Sequence, residues 1–154
     1  MVRCVPSTIP SHIYTMFALA IIGSLLVATV NSYTASLRSI SEIQQLKNLL
    51  NSVAAKGSDL ATLAASTQSF AHASIQLPAS IGVQQYWLRA RNDSSNAWIE
   101  GALGRIMAES PADRVYMPKS ISASGYFTSG YGAVALEAYM NGSIPQLNLS
   151  SLRD

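Results

Sequence analysis

The stretch IYTMFALAIIGSLLVATV, Ile13 to Val30, decides the fold. It is the centre of a longer run, Cys4 to Leu37, that contains no Lys, Arg, Asp or Glu. A helix needs about 20 consecutive apolar residues to cross the hydrocarbon core of a bilayer. Ile13–Val30 supplies 18 of them, and the run from Ser11 to Tyr33 extends this to 23. A helix that is apolar on every side must be buried, in lipid or in other protein. The run exceeds the 7–15 residues usual for the apolar part of a cleaved secretory signal, so it is expected to be a retained helix.

Working outward, the N-terminal lead-in Met1–Pro10 holds Pro6 and Pro10 and is expected to be irregular, because proline biases the residue before it away from helix. Ser11 is then the expected N-cap. On the C-terminal side no breaker follows Tyr33. Apolar residues recur at Leu37, Ile40, Ile43, Leu46, Leu49, Leu50, Val53, Ala54, Leu60, Leu63, Ala64 and Phe70, mostly three or four apart. Ser39, Glu42, Gln45, Lys47, Asn48 and Lys56 fill the opposite side. This is the period of an amphipathic helix. No proline lies between Pro10 and Pro78, and Gly57 is the only weak point. The spacing predicts one helix over about 11–73, apolar in 11–36 and amphipathic in 37–73, which at 1.5 Å per residue is on the order of 90 Å long.

From Ser74 the period changes to two and turn residues appear. Ile75–Leu77, Val83–Arg91, Ala97–Glu109, Val115–Met117, Ser120–Tyr126 and Gly132–Met140 read as strands, Ala97–Glu109 loosened by Gly101 and Gly104. Asn92–Asn96 and Pro111–Arg114 read as turns. The last two strands are expected to form a hairpin with its tip at Phe127–Tyr131, the tyrosines of Gly125–Gly132 would be exposed there, and Asn141–Asp154 is expected to be loop. The fold class is therefore α+β: a long N-terminal helix with a small antiparallel β head over 74–154. Trp87 and Trp98 are expected in the head's core, against the helix stripe.

Composition narrows the function. Charged residues make up 12% of the chain, about half the usual globular share. Arg3 is the only charge in the first 37 residues, and the remainder carries nine basic and eight acidic residues. No basic stripe exists, which argues against a nucleic-acid partner. About a fifth of the chain is Ser or Thr, so the surface relies on hydroxyls rather than charge. Cys4 is the sole cysteine, so no intrachain disulfide can form. His12 and His72 lie far apart along the same expected helix and share no metal. No nucleophile–base constellation, P-loop or dinucleotide motif is present, so neither a catalytic residue, a metal site nor a cofactor is expected. The Gly125–Gly132 stretch is glycine-rich but precedes no helix start or lysine.

A short basic lead, an apolar N-terminal helix that continues as an amphipathic one, and a small β head together resemble the plan of type IV pilins. The archaeal branch is the best fit, because the bacterial relatives carry a glutamate at the fifth mature position and no Glu precedes Glu42 here. The resemblance covers the whole chain and is architectural. It implies a processing junction at Arg3, Cys4 and Val5, with Cys4 where Gly or Ala is usual. It implies a homopolymer: an extracellular helical filament for surface adhesion or cell–cell contact, held in the cytoplasmic membrane before assembly. Filament-core packing would then fall to Ile13, Phe17, Leu19, Ile21, Ile22, Leu25, Leu26, Val27 and Val30. Asn92, Asn141 and Asn148 each begin an Asn-x-Ser sequon and are candidate N-glycosylation acceptors, all in turn-like sequence of the head. The alternative reading is a single-pass anchored surface or accessory protein, of an envelope complex or a virus, that does not polymerise.

Overall fold

The computed structural model describes residues 8–104, 112–130 and 132–152. One helix, α1 (Thr8–Thr67), is followed by seven strands: β1 (Ala71–Gln76), β2 (Tyr86–Asn92), β3 (Ala97–Leu103), β4 (Asp113–Met117), β5 (Ser122–Thr128), β6 (Ala133–Asn141) and β7 (Ile144–Ser151). The α+β class stands. Contacts divide the chain into two units, Met1–Ser41 and Glu42–Asp154. The first contains the apolar part of α1, and the second contains the rest of α1 and the sheet.

Within the second unit the helix stripe forms the core. Leu46, Leu50, Val53, Ala54, Leu60, Ala61 and Ala64 are buried, following one another at intervals of one, three, four or six residues. They pack with Tyr86, Leu88, Ala90, Ile99, Phe127, Leu136, Leu147 and Leu149 from the inner face of the sheet. Gly57, expected to be a weak point, lies on this stripe, and a Cβ there would meet Leu147 Cδ2 at 2.6 Å. Gly101 does the same from the strand side, where a Cβ would meet the Trp87 carbonyl at 2.6 Å and Leu50 at 3.3 Å. Both are places where the helix comes close to the sheet. Leu63 and Phe70, read as part of the stripe, are 51% and 61% exposed.

The helix boundaries differ from expectation at both ends. It begins at Thr8, with Pro10 inside the first turn, where a missing N–H breaks no helical hydrogen bond. It stops at Thr67 because Gln68 takes a left-handed backbone conformation, φ 50°, a C-terminal cap ordinarily made by Gly or Asn. Residues 71–73 consequently lie in β1, paired with Leu136–Ala138 of β6, and His72 is an exposed strand residue opposite Glu137.

The sheet order is β1-β6-β7-β5-β2-β3-β4. It is antiparallel except at its centre, where β5 and β7 run parallel from Ser122↔Gln146 to Gly125↔Leu149. Two expectations therefore fail. β5 and β6 are not a hairpin, since β7 lies between them. Nor is the C-terminal segment a loop: β6 and β7 form the hairpin, from Val134↔Ser151 to Asn141↔Ile144. Its two-residue turn starts at Gly142, φ 64°, the position where a positive φ matches the twist of the flanking strands. Phe127, expected at an exposed tip, is in the core, and Ser129 is buried with its hydroxyl accepting the Tyr86 N–H. Tyr131 lies outside the described residues. So does the expected continuation of β3 to Glu109; Asp113 and Arg114, read as turn, open β4.

Asn92–Asn96 is the β2–β3 turn, as read. Asp93 Oδ1 accepts the backbone N–H groups of Ser95 and Asn96, which holds its carboxyl below the usual range. Tyr86, wholly buried, donates its hydroxyl to the Pro78 carbonyl at 2.7 Å, and burial pushes its pKa up to about 12.

Gly125 is the tightest point of the sheet. Its φ is 118°, and a Cβ would lie 2.0 Å from the Leu149 carbonyl oxygen. Gly125→Ala combines a disfavoured backbone with a clash against a central strand. It is expected to cost about 3 kcal/mol or more, read as a fall in the urea midpoint of the head. An unchanged midpoint would contradict this packing of β5 on β7.

Candidate functional site

Two surfaces carry chemistry that the fold does not consume. The first is the apolar part of α1. Ile13, Phe17, Leu19, Ile21, Ile22, Leu25, Leu26, Val27 and Val30 are between 51% and 69% exposed. At about 100° per residue these nine positions surround the helix. Burying side chains of this kind is worth about 1.5–3 kcal/mol each, so leaving all nine in water costs on the order of 14–27 kcal/mol, more than the whole net stability of most domains. Such a surface is built to be covered.

Its few polar groups are satisfied within the helix. Thr15, Ser24 and Thr34 donate to the carbonyls of His12, Ile21 and Val30 at 2.9, 2.8 and 2.8 Å. Thr29 donates to the carbonyls of Leu25 and Leu26. With the backbone also paired, these Ser and Thr hydroxyls ask no partner of an apolar environment. Tyr14 and Tyr33, 76% and 69% exposed, bracket it. Nineteen helical steps separate them, about 28 Å, which matches a hydrocarbon core of about 30 Å with tyrosines at the two interfaces. The helix is thus long and apolar enough to cross a membrane. The junction residues Arg3, Cys4 and Val5 lie outside the described residues.

The second surface is the outer face of the sheet, turned away from the helix stripe. Period-two alternation places Trp87, Arg89 and Arg91 of β2, Trp98 and Glu100 of β3, and Arg114 and Tyr116 of β4 on it, in register through Arg89↔Glu100, Arg91↔Trp98, Glu100↔Arg114 and Trp98↔Tyr116. The two tryptophans are therefore on the face opposite the one expected. Leu88, Ala90 and Ile99 take the helix side instead.

Glu100 organises this face. It is 1% exposed, and both oxygens are filled. Oε1 accepts the Arg89 Nε–H at 2.8 Å, and the ion pairs to it bring Arg89 Nη2 to 2.6 Å and Arg91 Nη1 to 3.7 Å. Oε2 accepts the Trp98 Nε1–H at 3.0 Å and forms an ion pair with Arg114, whose Nε lies 3.2 Å away. Arg89 and Arg114 each lie 5.4 Å from a tryptophan ring, those of Trp87 and Trp98 respectively. Burial pushes the Glu100 carboxyl up. The Trp98 and Arg89 hydrogen bonds and the charges of Arg89 and Arg114 outweigh it and hold the group below its ordinary value.

The three sequons are divided by the fold. Asn92 and Asn141 are exposed at the ends of β2 and β6, beside turns, whereas Asn148 is half-buried in the central strand β7 and not in a turn. His12 and His72 are both exposed, on α1 and β1. Among the described residues no group of three His, Cys, Asp or Glu side chains is placed to hold a metal. Comparison of the chain with known protein families, curated proteins and solved structures finds no match.

A carboxylate whose pKa is lowered by folding stabilises the fold above its unfolded value of about 4.3, and this contribution is lost as the pH falls through the lower, folded value. Acid should therefore weaken the head below about pH 4. Glu100→Gln is expected to lower stability at pH 7 by roughly 2–4 kcal/mol, because the arginines lose their common acceptor, and to flatten the acid limb of a denaturation series. A variant with the wild-type acid limb would show that Glu100 is not the responsible group.

Proposed function

We propose that this chain is the structural subunit of an extracellular helical filament of the type IV pilus kind, for surface adhesion or cell–cell contact, which is held in the membrane by Ile13–Val30 before it polymerises. The observation that carries the reading is the nine apolar side chains, each more than half exposed and arranged all round one helix. A membrane-resident helix has no need of a sided pattern, and identical copies can replace lipid around it on every side. Contacts between copies that do not close into a ring give an open helical polymer. The self-bonded hydroxyls of Ser24, Thr29 and Thr34 suit either surrounding, since neither demands a partner from them. A shallow apolar depression between Leu26, Val30 and Tyr33 offers a seat for a neighbouring side chain.

The second reading is a permanent single-pass anchor, favoured by the bilayer-sized spacing of Tyr14 and Tyr33. The two differ in where the chain is found. Electron microscopy and mass spectrometry of material sheared from the cell surface without detergent should recover this chain in filaments, with its N-terminus readable in the same sample. Leu25→Lys or Ile22→Lys should abolish those filaments, since a buried lysine costs several kcal/mol in each copy. Recovery of the wild type only in detergent, or normal filaments from the lysine variants, would overturn the filament reading.

A further inference from the structure

We propose that the outer face of β2, β3 and β4 binds an anionic polysaccharide, one bearing carboxylate or sulfate groups. The inference gives the adhesive role a ligand class, but it rests on the head alone and holds whether or not the chain polymerises.

The argument begins with charge. In a chain of only ten Lys and Arg residues, three arginines converge on one buried carboxylate. Glu100 neutralises one of them, leaving an excess of two positive charges on this part of the face. Among the described residues, the nearest acids do not cancel it. Asp93, at the β2–β3 turn, is engaged by the backbone N–H groups of Ser95 and Asn96. Asp113 alternates to the other face and pairs with Lys47 of α1. Glu137 is on β6, three strands from β2, about 14 Å away.

The arginines are also presented outward. The side chains of Arg89, Arg91 and Arg114 are 36%, 53% and 51% exposed, although each meets a carboxylate that is itself out of water. A guanidinium has five donors in a planar fork, and Glu100 accepts a hydrogen bond from Arg89 while pairing with Arg91 and Arg114 by charge. The remainder point to an acceptor outside the fold, and a carboxylate or sulfate fits that fork in a bidentate manner. Because Glu100 and the rings of Trp87 and Trp98 hold the guanidiniums in place, little side-chain freedom remains to be lost on binding.

The aromatic side chains distinguish a sugar from a bare anion. Tyr116 is 62% exposed and lies beside Trp98, ring centroids 6.2 Å apart. Tyr126, on the same face of β5, is 39% exposed and accepts the Thr128 hydroxyl. Ser122 and Ser124 continue the face with hydroxyls. Rings for the apolar side of a pyranose, hydroxyls for its own hydroxyls and arginines for its acid group stand together on one open surface.

The test uses the full-length chain in detergent micelles, with polygalacturonate and heparin immobilised for biolayer interferometry and neutral dextran and poly-glutamate as comparisons. Binding to both acidic polysaccharides is expected, falling at least about tenfold between roughly 50 and 300 mM salt, with none to dextran. Arg91→Gln with Arg114→Gln should weaken it at least about tenfold. Those changes leave Glu100 bonded to Arg89 and Trp98, and Arg91→Gln alone, at the longest of the contacts, should weaken binding severalfold with no change in melting temperature. Tyr116→Ala should weaken polysaccharide binding severalfold too. Absence of wild-type binding, or equal binding by the double variant, would overturn the site. Poly-glutamate bound as tightly, with Tyr116→Ala unaffected, would overturn the sugar assignment in favour of an acidic protein segment.

Discussion

A helix with no charge over some eight turns cannot remain in water, and every other feature of this chain is arranged around that constraint. Ile13–Val30 offers no polar side on which it could rest at a surface. Its hydroxyls bond back to carbonyls of the preceding turn, so they add no demand for water. Further along α1 the same helical spacing is used differently. From Leu46 to Ala64 one stripe is apolar, and the sheet covers it. The first pattern leaves a surface to be covered by something outside the chain, and the second is covered within it.

The parts legible in the sequence were those with a local cause. Apolar length and the 3.6-residue period announced α1, and the Asn92–Asn96 cluster announced the β2–β3 turn. The stop at Thr67 was not legible, because the left-handed cap is Gln68, a residue type that rarely signals one. The β6–β7 hairpin does carry a local mark: Gly142-Ser143 between Asn141 and Ile144, with Leu147 and Leu149 alternating beyond, is a two-residue hairpin signal. The parallel pairing of β5 with β7 has no such local mark. It depends on where β6 returns the chain, and only Gly125 hints at so close an approach.

The Glu100 cluster was illegible for a related reason. Arg89, Arg91, Trp98, Glu100 and Arg114 lie in three strands, and nothing but register brings them together. Alternation did separate Trp87 and Arg89 from Leu88 and Ala90. What it could not supply was which face the helix covers. Tryptophan's size favours burial against the helix, but the helix stripe is lined by Leu, Val and Ala and is filled by Leu88, Ile99 and Phe127. The arginines and the indole N–H of Trp98 instead enclose the buried carboxylate of Glu100.

The central claim is that the apolar half of α1 exchanges lipid for copies of itself. A spin label at Ile22→Cys, in a Cys4→Ser background, tests it most directly by electron paramagnetic resonance, measured in membranes and again in detergent-free sheared surface material. The account predicts high accessibility to oxygen in the membrane, then loss of that accessibility with spin–spin broadening between neighbouring copies in the sheared material. A label that stays accessible in lipid, shows no broadening and never leaves the membrane fraction would contradict it.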